Sequence, residues 1–430
     1  MNRLTQFLGY SEDRKDNWFL FGMQLFVFTL PAYWAFVNSW SVVVLIIIWA
    51  FTQNFQGFWK RFRTRKIGWA FLLYFLWILI SLSYSENSEL GWLNLGQKLT
   101  FLVFPFVLLS SPTLVCRHVR GVVRVFYWTL FVLSIIMLML AGYKYYFNPQ
   151  ESLLALDYFT YERLAYNVGI QPIYLSMYMV FSFFAVWWDY FLHPKIGLTR
   201  SGKWMARIWL FHFFMMTILL SSRMGLLILL TLTAGLLLWL AYLKREKWSF
   251  ALAKIAILFS LTLILIGMIP INKMRYAEMV DFEKDYTENK WGGRAIRVQK
   301  WLNTLELIAE QPLLGTGAGD MQNELQKVYK RNNFKLAYIH RFNPHNQFLQ
   351  TWATLGLIGL FFLLAIFVLA FLNAFHFNNY LYTLTLFILA FSMITESILE
   401  RHKGVVFFSF FVLLFNAYYY NHKKLQETSP

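Results

Sequence analysis

Charge is scarce in this chain: only 14% of its 430 residues are Asp, Glu, Lys or Arg, well short of a soluble domain's usual share. That scarcity excludes a water-soluble globule. Cysteine is scarcer still, and with Cys116 alone no intrachain disulfide can form. Metal-binding patterns are missing as well. There is no HExxH and no Cys-His spacing, His340 and His345 stand five apart, and Asp320 is a lone carboxylate, so metal ligation is the weaker reading of these residues. The glycine-rich run Gly315–Asp320 lacks the Lys-Ser/Thr of a nucleotide-binding loop and reads mainly as a backbone turn. Between Met1 and Asp16 no short apolar core with a small-residue cleavage site occurs, so the first apolar span is expected to be retained.

What the chain has is apolar surface: 58% hydrophobic residues, 20% aromatics and a mean hydropathy of +0.47. The composition is that of a polytopic membrane protein. A net charge of +17 could suit nucleic acid, but the basic residues cluster between apolar spans, where the positive-inside rule and anionic lipid headgroups account for them. No nucleic-acid partner is expected; membrane lipids are.

A spanning helix needs about 20 mostly apolar residues. On that measure twelve spans are expected, starting near Trp18, Ser39, Ile67, Lys98, Val122, Pro172, Ile208, Met224, Phe250, Asn346, Leu381 and Val405. The fold class is therefore all-α, a membrane helical bundle of about twelve spans with one large helical outer loop. Three regions follow: residues 1–270 with nine spans, the loop 271–344, and residues 345–430 with three spans and a tail. If the spans alternate, the clusters Lys60–Lys66, Arg117–Arg124, Lys195–Arg207 and Lys244–Lys247 share one side with both termini. That side is expected to be cytoplasmic. The loop is too long for a simple connection. Val298, Leu302, Leu305 and Ala309 recur at helical spacing, predicting a helix from about Gly293 to Glu310 that Gln311-Pro312 ends; a second is expected from Asp320 to Lys330.

Few polar residues stand near the apolar spans without an evident reason. Arg223 falls where two spans meet with almost no connection; it is either a snorkelling anchor or a guanidinium aimed at an anion. Arg294 and Arg297 are i, i+3 neighbours on the loop helix and Trp301 follows at i+4, so the three can share a face, whether merely solvated or built for binding. His345, at the mouth of an apolar helix, is either a cap or a proton acceptor, with Asn346 beside it able to orient a substrate or the ring. Gly356 and Gly359 suit close helix packing in the membrane.

These pieces together resemble the O-antigen ligase family and its relatives, the O-antigen polymerases and bacterial protein O-oligosaccharyltransferases. His345-Asn346, nine residues, then Gly356-x-x-Gly359 fits the family's pattern of histidine, amide and paired glycines, and Arg223-x-x-x-Leu227 fits its R-x3-L pattern. Arg297-x-x-x-Trp301 and Pro312-Leu313-Leu314-Gly315-Thr316-Gly317 are similar to its loop signature. The resemblance implies an inverting glycosyltransferase of the inner membrane, working at the periplasmic face without metal or nucleotide. Its donor would be a glycan on undecaprenyl diphosphate and its acceptor a hydroxyl of lipid A-core or another glycolipid. His345 would be the base, Arg223 and Arg297 the diphosphate-binding cations, and Arg294, Asn346 and Trp301 substrate contacts. A polymerase or protein oligosaccharyltransferase of the same chemistry, or a transporter of anionic glycolipid, is the alternative. One departure is Gln171-Pro172, where some similar chains carry His-Pro; Gln171 is given no catalytic role.

Overall fold

The computed structural model describes residues 8–31, 35–53, 55–147, 157–192, 200–269, 294–376 and 379–427. They are helical, with no strand among them. The main helices are α1 (Arg14–Thr29), α2 (Ala35–Thr52), α3 (Lys66–Ser81), α4 (Ser88–Gln97), α5 (Thr100–Leu109), α6 (Pro112–Phe147), α7 (Pro172–Trp187), α8 (Arg200–Leu219), α9 (Arg223–Lys244) and α10 (Trp248–Met268). They continue with α11 (Arg294–Glu310), α12 (Met321–Arg331), α13 (Gln347–His376), α14 (Tyr380–Thr395) and α15 (His402–Glu427).

Each of the twelve expected spans falls on a helix, but the count of twelve is not reached by length and hydropathy. Eight segments are long and apolar enough to cross a membrane, α4 and α5 together making one of them. Helix α14 and the apolar part of α15 are shorter. Helix α1 has only 16 residues, and α8 is diluted by Lys203, Arg207 and His212. Of the loop, residues 271–293 lie outside the described residues. Its two expected helices are α11 and α12, each within a residue of the predicted ends.

The chain divides into two compact units: residues 1–30, 35–125 and 284–430 form one, and residues 31–34 and 126–283 the other. In the first, the core is a relay of aromatic rings. Phe71 of α3 lies 5.6 Å from Phe101 of α5 and 5.7 Å from Phe408 of α15, and Phe367 of α13 reaches Phe408 at 5.5 Å. Lipid tails are as apolar as these rings, so shape fit and polar ties, rather than exclusion of water, hold such helices together. Asn38 of α2 supplies one tie. Its amide donates to Thr29 Oγ1 (3.0 Å) and to the Phe26 carbonyl (3.1 Å) on α1, while its oxygen meets His402 Nε2 of α15 at 3.2 Å. Bonds of this kind contribute roughly 0.6 kcal/mol each.

The second unit packs α7 against α8 and α9. Pro172 stands at the first turn of α7, where its missing N–H leaves no helical bond unmade. Gly225 allows α9 to start tight on α7: a Cβ there would run into Ser176 Oγ.

Candidate active site

In the first unit the loop residues build a polar site on top of α13, and the build starts from a broken helix. At Gly356 the backbone of α13 leaves helical geometry, with φ 67° and ψ −171°. That left-handed φ suits glycine, and a Cβ there would strike the Leu313 carbonyl. The break leaves backbone groups without helical partners, and Pro312–Gly317 meets them. Thr316 N–H donates to Ala353 O (2.9 Å), Gly317 N–H to Thr354 O (2.9 Å) and Leu357 N–H to Pro312 O (2.9 Å), while Trp77 Nε1–H donates to Leu355 O (2.8 Å). Gly356, read from sequence as a packing glycine, thus also opens the helix so that the loop can pair with it.

The amides of the Gly315–Gly319 turn are engaged within the protein. Those of Thr316 and Gly317 pair with α13, that of Gly319 donates to Ser85 Oγ (3.1 Å) and that of Gly315 to Gln311 O (3.1 Å). Asp320 ties the run to the turn before α4: its carboxylate accepts from the Glu86 and Asn87 amides at 2.7 and 2.8 Å. With four of its five amides so engaged, the run is a structural clasp.

His345 sits just ahead of α13 with φ 48°, a left-handed backbone that costs a non-glycine residue roughly 1–2 kcal/mol. Neighbours hold it there. Asn343 Oδ1 accepts the His345 N–H at 3.0 Å, Trp301 Nε1–H donates to the Pro344 carbonyl at 3.1 Å, and Asn346 Oδ1 caps α13 by accepting from Phe348 and Leu349 N–H (3.0 and 3.1 Å). Asn346 and Trp301 therefore shape the site with the polar atoms named, and a substrate would meet the Asn346 NH2 or the Trp301 ring.

The imidazole has a partner that the sequence reading missed. His345 Nδ1 lies 2.9 Å from Glu396 Oε2, with the side chains 31% and 15% exposed. An ionised carboxylate only accepts, so Nδ1 carries the hydrogen and Nε2 is the basic nitrogen. Burial pushes the Glu396 carboxyl up, but the His345 hydrogen bond and the charges of His345, Lys300 and Arg297 outweigh it and hold the group below the usual carboxylate range. Arg297, on α11, thus acts on the same carboxylate as His345. Lys300, one turn on, is buried, with Nζ 4.8 Å over the Phe342 ring. Burial first, and Arg297 second, push its ammonium down to about 7 against the pull of Glu396. Arg294 opens α11; its side chain lies outside the described residues.

A cavity of about 290 Å³ with a mixed lining reaches Asn343, beside His345, and takes in Asn94, Arg341, Gln350, Met321 and the Lys98–Glu400 ion pair, 3.1 Å long. Lys98 stands outside the basic clusters placed on the cytoplasmic side and is buried, so it needs a counter-charge. Glu400 answers it. Gln347 joins the pair to α13, its Nε2–H donating to Glu400 Oε1 (3.3 Å) and its Oε1 accepting from Leu399 N–H (2.7 Å).

In the second unit Arg223 opens α9 right after a short turn from α8. Ser221 takes φ 49° there, and Ser222 caps the helix by accepting from Gly225 N–H at 3.2 Å. The Gly225–Ser176 approach sets Arg223 at the same end of this unit as Gln171-Pro172. Leu227 of the R-x3-L pattern is about half exposed.

Together these features define a polytopic helical membrane protein in which the residues between α10 and α13 frame a histidine–carboxylate pair beside cationic residues. Residues 208–364 match the family model described as O-antigen ligase, the family that the sequence motifs resemble. The matched segment takes in Arg223, Arg297 and His345. No curated protein matches the chain.

Proposed function

We propose that this protein moves a glycan from undecaprenyl diphosphate to an acceptor hydroxyl of lipid A-core at the periplasmic face of the inner membrane. Glycosyl transfer of the ligase or polymerase type is what the family as a whole carries; the donor, the acceptor and the side of the membrane are our reading. The observation that carries it is the His345–Glu396 pair lying within the field of Arg297. With Nδ1–H held by the carboxylate, Nε2 accepts the acceptor's hydroxyl proton. The freed oxygen forms a bond to the anomeric carbon as the bond to the diphosphate oxygen breaks, and the configuration inverts. Arg297 offsets the charge gathering on the departing diphosphate, as a preorganised cation does for a developing anion. Arg223 enters the same step through its motif, and Arg294 supports it. The basic run Lys60–Lys66 lies at the start of α3, while Trp77 and Ser85, near and past its other end, meet the clasp and the α13 break. That separation, roughly 20 Å or more of helix, supports a periplasmic site with a cytoplasmic basic end.

Reconstitution tests this. Full-length protein in liposomes, given a synthetic polyprenyl-diphosphate glycan and lipid A-core, should form the conjugate. His345→Ala should slow transfer by about 10²–10⁴, Arg297→Ala and Arg223→Ala should abolish it, and Lys at either arginine should restore only part. Growth of glycan on the carrier, with lipid A-core untouched, would replace the ligase by a polymerase; wild-type turnover in both arginine variants would remove the diphosphate site.

A further inference from the structure

Lys300 was no part of the motif reading, and its placement is unusual for a lysine. It is only 5% exposed. The ammonium faces the Phe342 ring at 4.8 Å, and among the described residues no carboxylate lies within ion-pair distance of it. From its own helix Arg297 opposes its charge, and from the turn after α14 Glu396 favours it. The loop brings His340, stacked on Phe342 at 5.6 Å, and His345, edge-on to the same ring at 6.3 Å. The start of α13, Gln347 to Thr351, carries no charged residue. On the α12 side, Arg331 is held by Glu306 and Glu310, further along α11.

We propose that Lys300 is a further cation of the diphosphate site, taking a proton from water when that anion arrives and returning it when the anion leaves. The inference rests on the diphosphate reading above. Lys300, Arg297 and His345 all act on the buried Glu396 carboxylate. A permanent charge at position 300 would repel Arg297 and compete with His345 Nδ1 for Glu396, loosening the tautomer that leaves Nε2 basic. A neutral amine avoids both effects. A diphosphate brings at least two negative charges, which favour the ammonium and give it a partner. Lysine can make this change where arginine, always charged, cannot, and burial to about 7 places its proton within reach of such a switch. The sign follows from linkage: a group more protonated in the bound state makes binding take up a proton, so affinity falls as pH rises above about 7.

The test is calorimetric titration of farnesyl diphosphate into the full-length protein in nanodiscs, in phosphate and in Tris, whose ionisation enthalpies differ. The probe's own protons are common to every protein and cancel in the comparison. Wild type should take up more protons at pH 7.5 than either Lys300→Arg or Lys300→Met. Between pH 7 and 8.5 its affinity should fall by up to about tenfold per pH unit more than that of Lys300→Arg. Lys300→Met should bind about 10–100-fold more weakly at pH 6.5, the loss of one charged hydrogen bond, and Lys300→Arg should bind with little of the excess pH dependence. Wild-type proton uptake in either variant overturns the proposal and leaves the diphosphate site standing. Failure of wild type to bind the probe overturns that site and this inference with it.

Discussion

Exchanging Glu396 for glutamine probes the candidate site at its least obvious member. The substitution keeps size and shape and removes the charge 2.9 Å from His345 Nδ1. Two losses follow. The imidazolium formed when the acceptor gives up its proton forfeits a charge-assisted bond of about 1.5–3 kcal/mol, which corresponds to about 10–100-fold in rate. The glutamine can also turn its NH2 toward Nδ1, which then must accept; the hydrogen moves to Nε2 and the base is lost. A wrong tautomer in a comparable histidine–carboxylate pair costs about 10⁴, so the combined fall in turnover should lie near 10²–10⁴. Donor affinity should change far less, because Arg297 is untouched. Single-turnover transfer at saturating donor, with farnesyl diphosphate binding measured alongside, separates these. Glu396→Asp, which keeps the charge on a shorter arm, should recover part of the rate. If Glu396→Gln turned over like wild type while remaining folded, the carboxylate would be a structural partner and His345 would need no orienting group.

Three further outcomes test the frame. Gly356→Ala places a Cβ against the Leu313 carbonyl at a left-handed φ; the clasp should open, seen as faster protease cleavage between residues 311 and 320 and transfer below a tenth of wild type, whereas Gly235→Ala, with open space around it, should be silent. Lys98→Met leaves Glu400 without its cation; breaking a buried pair costs about 3–5 kcal/mol, and because Glu400 retains 23% exposure the low end, about 3 kcal/mol, is expected in the thermal midpoint, with Glu400→Gln added to Lys98→Met restoring most of it. Cysteine at the exposed position Lys330 should react with an impermeant thiol reagent in cells with a permeabilised outer membrane while cysteine at Ser201 stays protected; the reverse pattern would put the site in the cytoplasm.

The sequence made the helices legible because their signals are local. Pro172 marked the start of α7 and Gln311-Pro312 the end of α11, and the spacing of Val298, Leu302 and Leu305 announced that helix. Length and hydropathy were less decisive for α1 and α8, where short or charge-diluted segments pass as spans on composition alone. In the site, His345 and Arg297 were legible as residues out of place. Glu396 was not, because it follows α14, a whole helix hairpin from its partner, and a carboxylate at a span end has an ordinary explanation. Lys300 could have been found: Arg294, Arg297 and Lys300 recur every three residues, a basic face that the Trp301 spacing overshadowed. The break at Gly356 could not, since a glycine that packs and a glycine that opens a helix look alike until the Leu313 carbonyl is placed against it.

The bonds between Pro312–Gly317 and α13 also impose an order on biosynthesis. The clasp residues leave the ribosome some forty positions ahead of Ala353, Thr354 and Leu357, the groups they pair with. Until α13 has entered the bilayer and bent at Gly356, the loop has nothing to close on, and the backbone around His345 has no floor beneath it. A half-inserted chain would thus lack the His345–Glu396 pair, since Glu396 follows α14. On the proposed function, activity would come only with completed membrane passage, and an unfinished copy could not waste the activated donor on water.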